Sequence, residues 1–498
     1  MAGYFLGIDQ GTTLTTAVLA DENWHVVAKA SIPHKNHYPN PGWVEQDPVE
    51  IYENCLRAVE EALHQVPGAT AQDIISLGLD HQGETCVVWD KDTGVPIYNA
   101  IVWQDRRTAD AAEALKAARG DEIQKISGLS PDAYYSATKI NWLLDHVEGA
   151  RERARRGELL VGTLNTWIFW KLSGGECYKT DPGSAGCMML MDLGETAWSK
   201  ALVDLLELPV SALPEMCDSN HLYGYTKPEC FFGARVPIAG SAPDSPASII
   251  GGGCAGEGIL KTSYGTGSFM TMQTGSRIIH SQKGMVSDCM WRISGKPNYR
   301  LRGACYVAGA AVEWLKNGIG IIDDPRATEA MALSVPDSGD VYFVPAFAGL
   351  ATPFWDQYAR GMLIGLTGGT TREHIVRAVL ESMAFQVAHC YDAMKEEMGH
   401  ESPVMRADGG IVENRFVMQF QADMLGIPVE VPDEKETAAF GAACLGGLTM
   451  GALPDVESVR KYVKLRYVYE PKMGRDERNE RMGRWLEAAD RSLHWAKK

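Results

Sequence analysis

The sequence predicts an α/β protein built twice over, as two similar domains facing each other across a cleft. Three observations carry this. Residues 6–16 read L-G-I-D-Q-G-T-T-L-T-T, an apolar run ending in Asp9, then Gly11-Thr12-Thr13, then a second apolar run, Ala17-Val18-Leu19. Residues 259–274 repeat the plan: strand, a Gly265-Thr266-Gly267 turn, strand. Duplication of this kind fixes a fold. A third glycine turn, Asp408-Gly409-Gly410, precedes an amphipathic run over 416–425, a strand–turn–helix unit with free amides at the helix start.

Each hairpin suits a triphosphate. Glycine lets backbone N–H groups approach phosphate oxygens, and the threonine hydroxyls add donors. Asp9, at a strand end, is placed to hold a metal ion through water. One such hairpin alone is equally an ordinary tight turn; two, half a chain apart, suggest a phosphate clamp.

The remaining elements follow in order. Strands are expected over 4–8, 15–20, 25–30, 75–79 and 86–89, and a helix over 48–65 with Asp47 capping it ahead of Pro48. Asp90-Lys91-Asp92-Thr93-Gly94 reads as a hairpin turn into 97–103. Residues 134–147 and 156–172 read as helices. The Gly- and Pro-rich stretch 238–256 marks the boundary, giving domains 1–248 and 249–498. Beyond it come hairpins, helices over 310–317 and 374–398, and the Asp408 unit.

Length and composition bound the function. The 498 residues are enough for two or three domains, and 45% hydrophobic with 22% charged residues is ordinary for a globular protein. No run of about 18 apolar residues is present, so no membrane span is expected, and the N-terminus lacks a basic leader. A net charge of −17 with both signs interspersed argues against a nucleic-acid partner. The basic cluster at 151–156 reads as a solvated helix end. Eleven cysteines without a C-x-x-C pair read as buried, reduced thiols of a cytoplasmic protein.

Other chemistries find no support. There is no G-x-x-x-x-G-K-[ST], no H-E-x-x-H and no G-x-S-x-G. Gly251-Gly252-Gly253-Cys254-Ala255-Gly256 fits G-x-G-x-x-G, but 272–277 lacks the acidic residue a dinucleotide site requires. That run reads as close helix packing beside the cleft.

The hairpins resemble those of the duplicated actin-like, ribonuclease-H-like ATPase fold, shared by actin, heat-shock chaperones and sugar kinases. Tyr134-Tyr135-Ser136-Ala137-Thr138-Lys139-Ile140-Asn141-Trp142-Leu143 resembles the first signature of the FGGY carbohydrate kinases. Gly361-Met362-Leu363-Ile364-Gly365-Leu366, with His374, Ile375, Ala378 and Glu381, resembles the second. Within that family the glycerol kinases are most similar, through residues 38–48, 99–108 and 344–349; the likeness runs from Tyr4 to about Trp495.

The resemblance implies ATP and Mg²⁺ as cofactors, and a small polyol or sugar as the acceptor. It implies that Asp244 is the base taking the acceptor's proton as the γ-phosphate is attacked. Glu84, Trp103, Tyr134 and Phe269 would surround the acceptor. Thr12 and Thr13 would meet the phosphates, Thr266 would close on them, and Gly309, Gly410 and Asn414 would line the nucleoside. Composition alone would place Trp103 and Phe269 in the core.

Four positions depart from the glycerol kinase pattern. Gly83 stands where an Arg precedes the acceptor Glu, and Ser245 where a Gln follows the catalytic Asp. Thr16 replaces an Arg after the first hairpin, and Glu313 a nucleotide-side Gln. The first two exchange long polar side chains for small ones, which enlarges the acceptor site and favours a four- or five-carbon polyol over glycerol. The alternative is that Arg106 or Arg107 moves in and glycerol remains the substrate. Competing functions are a xylulose or ribulose kinase and, in another class, a non-catalytic nucleotide-binding regulator. Kinases of this family often form dimers or tetramers.

Overall fold

The computed structural model describes residues 3–497. Its first half is organised on a sheet of six strands: β1 (Tyr4–Gln10), β2 (Leu14–Ala20), β3 (Val26–Pro33), β4 (Ile74–His81), β5 (Leu222–Tyr225) and β6 (Pro237–Pro243). They stand in the order β5–β6–β4–β1–β2–β3. The second half holds β7 (Leu260–Tyr264), β8 (Ser268–Gly275), β9 (Val286–Ile293), β10 (Lys296–Cys305), β11 (Met405–Gly409), β12 (Val429–Pro432) and β13 (Leu465–Tyr469). Their order is β9–β10–β8–β7–β11–β12–β13.

The two sheets repeat one topology. In each, the phosphate-type hairpin (β1–β2 or β7–β8) continues on one side into another antiparallel strand. On the other side it meets two parallel strands and then an antiparallel edge. β9 is an additional edge strand on the second sheet. Burial explains the strand patterns. Residues 15–20 of β2 are buried on both faces, as befits a strand covered by helices. The edge strand β3 alternates, one face solvated.

Five helices matter for the site: α1 (Pro48–His64), α2 (Asp244–Gly251), α3 (Arg372–Met398), α4 (Arg415–Leu425) and α5 (Thr437–Thr449). α1 starts where the sequence indicates, with the Asp47 carboxylate accepting from Val49 N–H at 2.8 Å and Pro48 in the first turn. Its buried stripe Ile51, Cys55, Ala58, Val59 and Ala62 packs on the first sheet. α3 and α4 anchor the second core, which also takes in the fully buried Trp485.

α5 belongs to the second half of the chain yet lies on the first sheet. Glycines make that possible. A Cβ on Gly7 would fall 1.8 Å from the Ala439 carbonyl oxygen, and one on Gly78 would fall 1.8 Å from that of Ala442. Gly7 and Gly78 are register partners on β1 and β4, so together they form a flat floor under the helix. α2 crosses α5 as closely: a Cβ on Gly441 would lie 1.9 Å from the Ala247 oxygen, and one on Gly251 2.0 Å from the Thr437 oxygen. At Gly251 the glycine run does serve helix packing. The boundary expected at 248/249 falls inside α2.

Some elements differ from expectation. Residues 156–172 are not one helix: Leu159–Thr163 is a strand antiparallel to Cys86–Asp90, and Leu164–Leu172 is helical. A buried strand lacks alternation and reads like a buried helix. Of 97–103, only Ala100–Ile101 is strand. The helix expected over 310–317 is a short α turn, Gly309–Glu313, followed by a π turn, Trp314–Gly318. The helices Ala109–Ser127 and Arg475–Ser492 were not foreseen. The basic cluster at 151–156 is a short helix whose arginines pair with neighbouring carboxylates, as Arg153 does with Asp90.

Gly78→Ala should therefore destabilise the protein by about 2–3 kcal/mol or more, since backbone must move to admit the methyl group. Gly483→Ala, on the last helix with open space around it, should stabilise by about 0.5–1 kcal/mol. Urea denaturation of both variants checks the contrast.

Candidate active site

Three carboxyls converge where the strand ends of the first sheet meet α2. Asp9 and Asp80 are register partners at the ends of β1 and β4. Asp80 is fully buried, and among the described residues only Asp9 offers its carboxyl a hydrogen bond. Burial pushes the Asp9 carboxyl up to about 7; contact with Asp80 opposes this, while Asp244 and Glu436 add repulsion. Burial, and then the Asp9 charge, lift Asp80 well above the carboxylate range. Each of the two like charges opposes the ionisation of the other.

Asp244 opens α2, and its Oδ1 accepts from the Ser245 N–H at 2.6 Å. The residue is exposed, yet protein crowds around its carboxyl. Enclosure raises its pKa; the Ser245 amide, Arg300, Lys261 and Arg302 pull it down.

The two hairpins are built alike but tied differently. Gly11 N–H donates to the Leu14 carbonyl at 3.0 Å, leaving Thr12 and Thr13 at the tip. The Thr12 hydroxyl accepts from the Trp103 indole at 2.9 Å, which ties the first hairpin to Trp103. In the second hairpin Gly265 N–H meets the Gly267 carbonyl at 2.9 Å. The exposed Thr266 accepts, through its own carbonyl, from Ala308 and Ala310 N–H at 2.8 and 3.1 Å. This fastens the hairpin to the turn at Gly309, where a Cβ would come 2.6 Å from the Gly265 oxygen.

Glu313 is exposed and accepts from Asn317. Gly410 is exposed, with open space at its Cα. Asn414 caps α4, accepting from Val417 N–H at 3.1 Å and donating to Thr328. Thr16 is buried and bonds Ser31 on β3, so it does not reach the hairpin tip.

Glu84 and Tyr134 lie within electrostatic reach of Asp244. Glu84 is buried, and burial lifts its carboxyl to about 7 against the pull of Arg302 and Lys139. Trp103 meets Tyr134 edge to face, with ring centres 5.7 Å apart. Phe269 is 61% exposed, so it is not a core residue. Gly83 has φ +73°, and a Cβ there would lie 3.6 Å from Cys187 Sγ.

Neither Arg106 nor Arg107 fills the space beside Gly83. Arg107 is locked between Asp105 and Glu45 at 2.7 and 2.8 Å, 3.8 Å from the centre of the Trp43 ring. Arg106 pairs with Asp132 at 2.6 Å. Two arginines that the sequence reading passed over stand here instead, Arg300 and Arg302 of β10. Arg300 donates to the Ser245 hydroxyl at 2.9 Å and to Asp288 at 2.6 Å, and Arg302 pairs with Asp288 at 2.6 Å. The Ser245 side is therefore partly filled rather than simply enlarged. The signal was the alternation Arg300-Leu301-Arg302, which puts both guanidinia on one face of a strand.

With this geometry in view, comparison with known proteins places the chain. Residues 4–251 match the model of the FGGY family of carbohydrate kinases, N-terminal domain, and 260–450 match that of the C-terminal domain. The chain belongs to the FGGY family of carbohydrate kinases. Glycerol kinase 2 of Thermotoga maritima is 46% identical over 99% of this chain and 100% of its own length. Glycerol kinase of Caldanaerobacter subterraneus subsp. tengcongensis is 44% identical over the full length of both. The crystal structure of Plasmodium falciparum glycerol kinase with ADP superposes with a TM-score of 0.93 at 32% identity, covering 99% and 98% of the two chains. Xylulose kinase from Rhodospirillum rubrum, at 24% identity and a TM-score of 0.87, shares the fold. As an FGGY kinase the protein is an ATP-using phosphotransferase acting on an alcohol group. No helix among the described residues is long and apolar enough to cross a membrane.

The carboxyl pair gives a pH signature. An unfolded Asp titrates near 3.8, whereas Asp9 is held near 7 and Asp80 is also raised. Between about 4 and 7 the native state binds more protons than the unfolded one, so stability falls as pH rises through that window. Asp80→Asn removes one of the repelling charges. In Mg²⁺-free buffer its melting temperature should exceed that of wild type at pH 8 and converge with it at pH 4; thermal melts across pH check this.

Proposed function

We propose that this enzyme transfers the γ-phosphate of ATP to a terminal hydroxyl of a small polyol or sugar, glycerol or a four- to five-carbon relative, with Asp244 as the base. The carrying observation is that the Asp244 carboxyl acts on Asp9 at the foot of the first hairpin and on Glu84 and Tyr134, while Trp103 joins Tyr134 to the Thr12 hydroxyl. A hydroxyl held there faces a carboxylate whose enclosure brings it nearer neutrality, which strengthens it as a base. Glu84 accepts hydrogen bonds from the acceptor's other hydroxyls, and Trp103, Tyr134 and Phe269 cover its carbon chain.

Thr12, Thr13 and Thr266 receive the phosphates, with Gly309, Glu313, Gly410 and Asn414 on the nucleoside side. Among the described residues no group of three or more ligating side chains is arranged to hold a metal ion by itself. The oxygen-only donors Asp9 and Asp80 nonetheless suit a hard cation. Mg²⁺ arriving with the nucleotide would be held by Asp9 through water, and would neutralise phosphate charge. The eleven cysteines, all unpaired, support a reducing, cytoplasmic setting.

Asp244→Asn should leave nucleotide affinity nearly unchanged and lower kcat by about 10²–10⁴. Titration with a fluorescent ATP analogue and steady-state kinetics separate the two. A variant keeping more than about a tenth of the activity would remove Asp244 from this role.

A further inference from the structure

Gly83 has no side chain and Ser245 a short one, and Ser245 accepts a hydrogen bond from Arg300, a cation from the other half of the chain. β10 is the source. In the antiparallel register Ala304 stands opposite Phe269, Arg302 opposite Thr271 and Arg300 opposite Gln273. Opposed residues share a face, so Arg302 stands on the Phe269 side of the second sheet, one pair along. Asp288 of β9, opposite Arg300, serves both guanidinia.

The supply of partners is unequal. Arg300 holds Asp288 through two nitrogens and also donates to Ser245. Arg302 meets only an edge of Asp288 through Nε, and none of the described residues takes a hydrogen bond of regular geometry from it. Its side chain is partly exposed. Arg302 is the leading cation acting on Glu84, and it also acts on Tyr134 and Cys187. Cys187 is the nearest group to the missing Gly83 side chain.

We infer that Arg302 is the guanidinium that recognises the acceptor, reaching across the seam to hold a vicinal diol together with Glu84, and that the acceptor is a polyol or ketose of four or five carbons. The chemistry is complementary. The carboxylate accepts from the hydroxyl hydrogens while the guanidinium donates to their oxygens. A three-carbon acceptor already uses Asp244 and Glu84; a further hydroxyl is what the free Arg302 nitrogens and the open space at Gly83 accommodate. This rests on the kinase reading above.

The test is steady-state phosphorylation by the full-length enzyme with ATP and glycerol, erythritol, ribitol, xylulose or ribulose. Wild type, Arg302→Gln and Arg302→Lys are compared. Wild type should show its highest kcat/KM on a four- or five-carbon acceptor. Arg302→Gln should raise the KM for that acceptor roughly ten- to a hundredfold, with the KM for ATP nearly unchanged. Arg302→Lys, which keeps the charge, should recover part of the loss. Arg300 remains as partner to Asp288, so the fold should survive, and melting temperatures measured alongside report this.

An Arg302→Gln enzyme that stays folded with an unchanged acceptor KM would overturn the inference and leave the kinase reading intact. A wild type that works best on glycerol would overturn the chain-length claim. Failure to phosphorylate any of the panel would overturn both readings together.

Discussion

The close seating of α5 on the first sheet is the contact on which the rest of the molecule depends. A helix normally rides on a sheet with side chains between them. Here the backbone of α5 touches that of β1 and β4, because Gly7 and Gly78 have nothing to interpose. The same helix presses Gly441 against Ala247 of α2. Since β1 carries Asp9, β4 carries Asp80 and α2 begins with Asp244, one helix sets the spacing of all three carboxyls. It also ties the second half of the chain into the core of the first, so the halves share packing as well as a site.

Electrostatics around that frame is deliberately uneven. The strand-end carboxyls Asp9 and Asp80 sit together, with no basic side chain among the described residues bonded to Asp80. Across the seam Arg300 and Arg302 concentrate positive charge over a single carboxylate, Asp288. Isolated, each arrangement costs stability. On the proposed reading the first would face a cation carried by a triphosphate and the second would face hydroxyl groups. Asp244 acts on both: it raises Asp9 and Asp80, while Arg300 and Arg302 pull its own carboxyl down.

Much of this was legible from the chain alone, and the reasons are physical. The Gly-Thr hairpins announce themselves because a turn that admits phosphate needs particular residues at particular places, and the repeated sheet topology follows from them. The Asp47–Pro48 helix start was equally plain. The split of 156–172 into strand and helix was not, because a strand buried on both faces carries no period-2 signal. Gly78 gave no sign of its importance either: its constraint comes from Ala442, more than 300 residues away. Arg302 was missed for a related reason. Glu84 and Tyr134, on which its charge acts, belong to the other half of the chain, and only tertiary structure brings them within its reach.

If the nesting of α5 sets the catalytic geometry, a methyl group at the α2–α5 crossing must disturb chemistry as well as stability. The most direct measurement is kcat and the KM for ATP of Gly441→Ala, at a temperature where circular dichroism shows the variant folded. The Cβ would displace α2, and with it Asp244, so kcat should fall by about tenfold or more while the KM for ATP changes little. A folded Gly441→Ala enzyme with wild-type kcat would contradict the account.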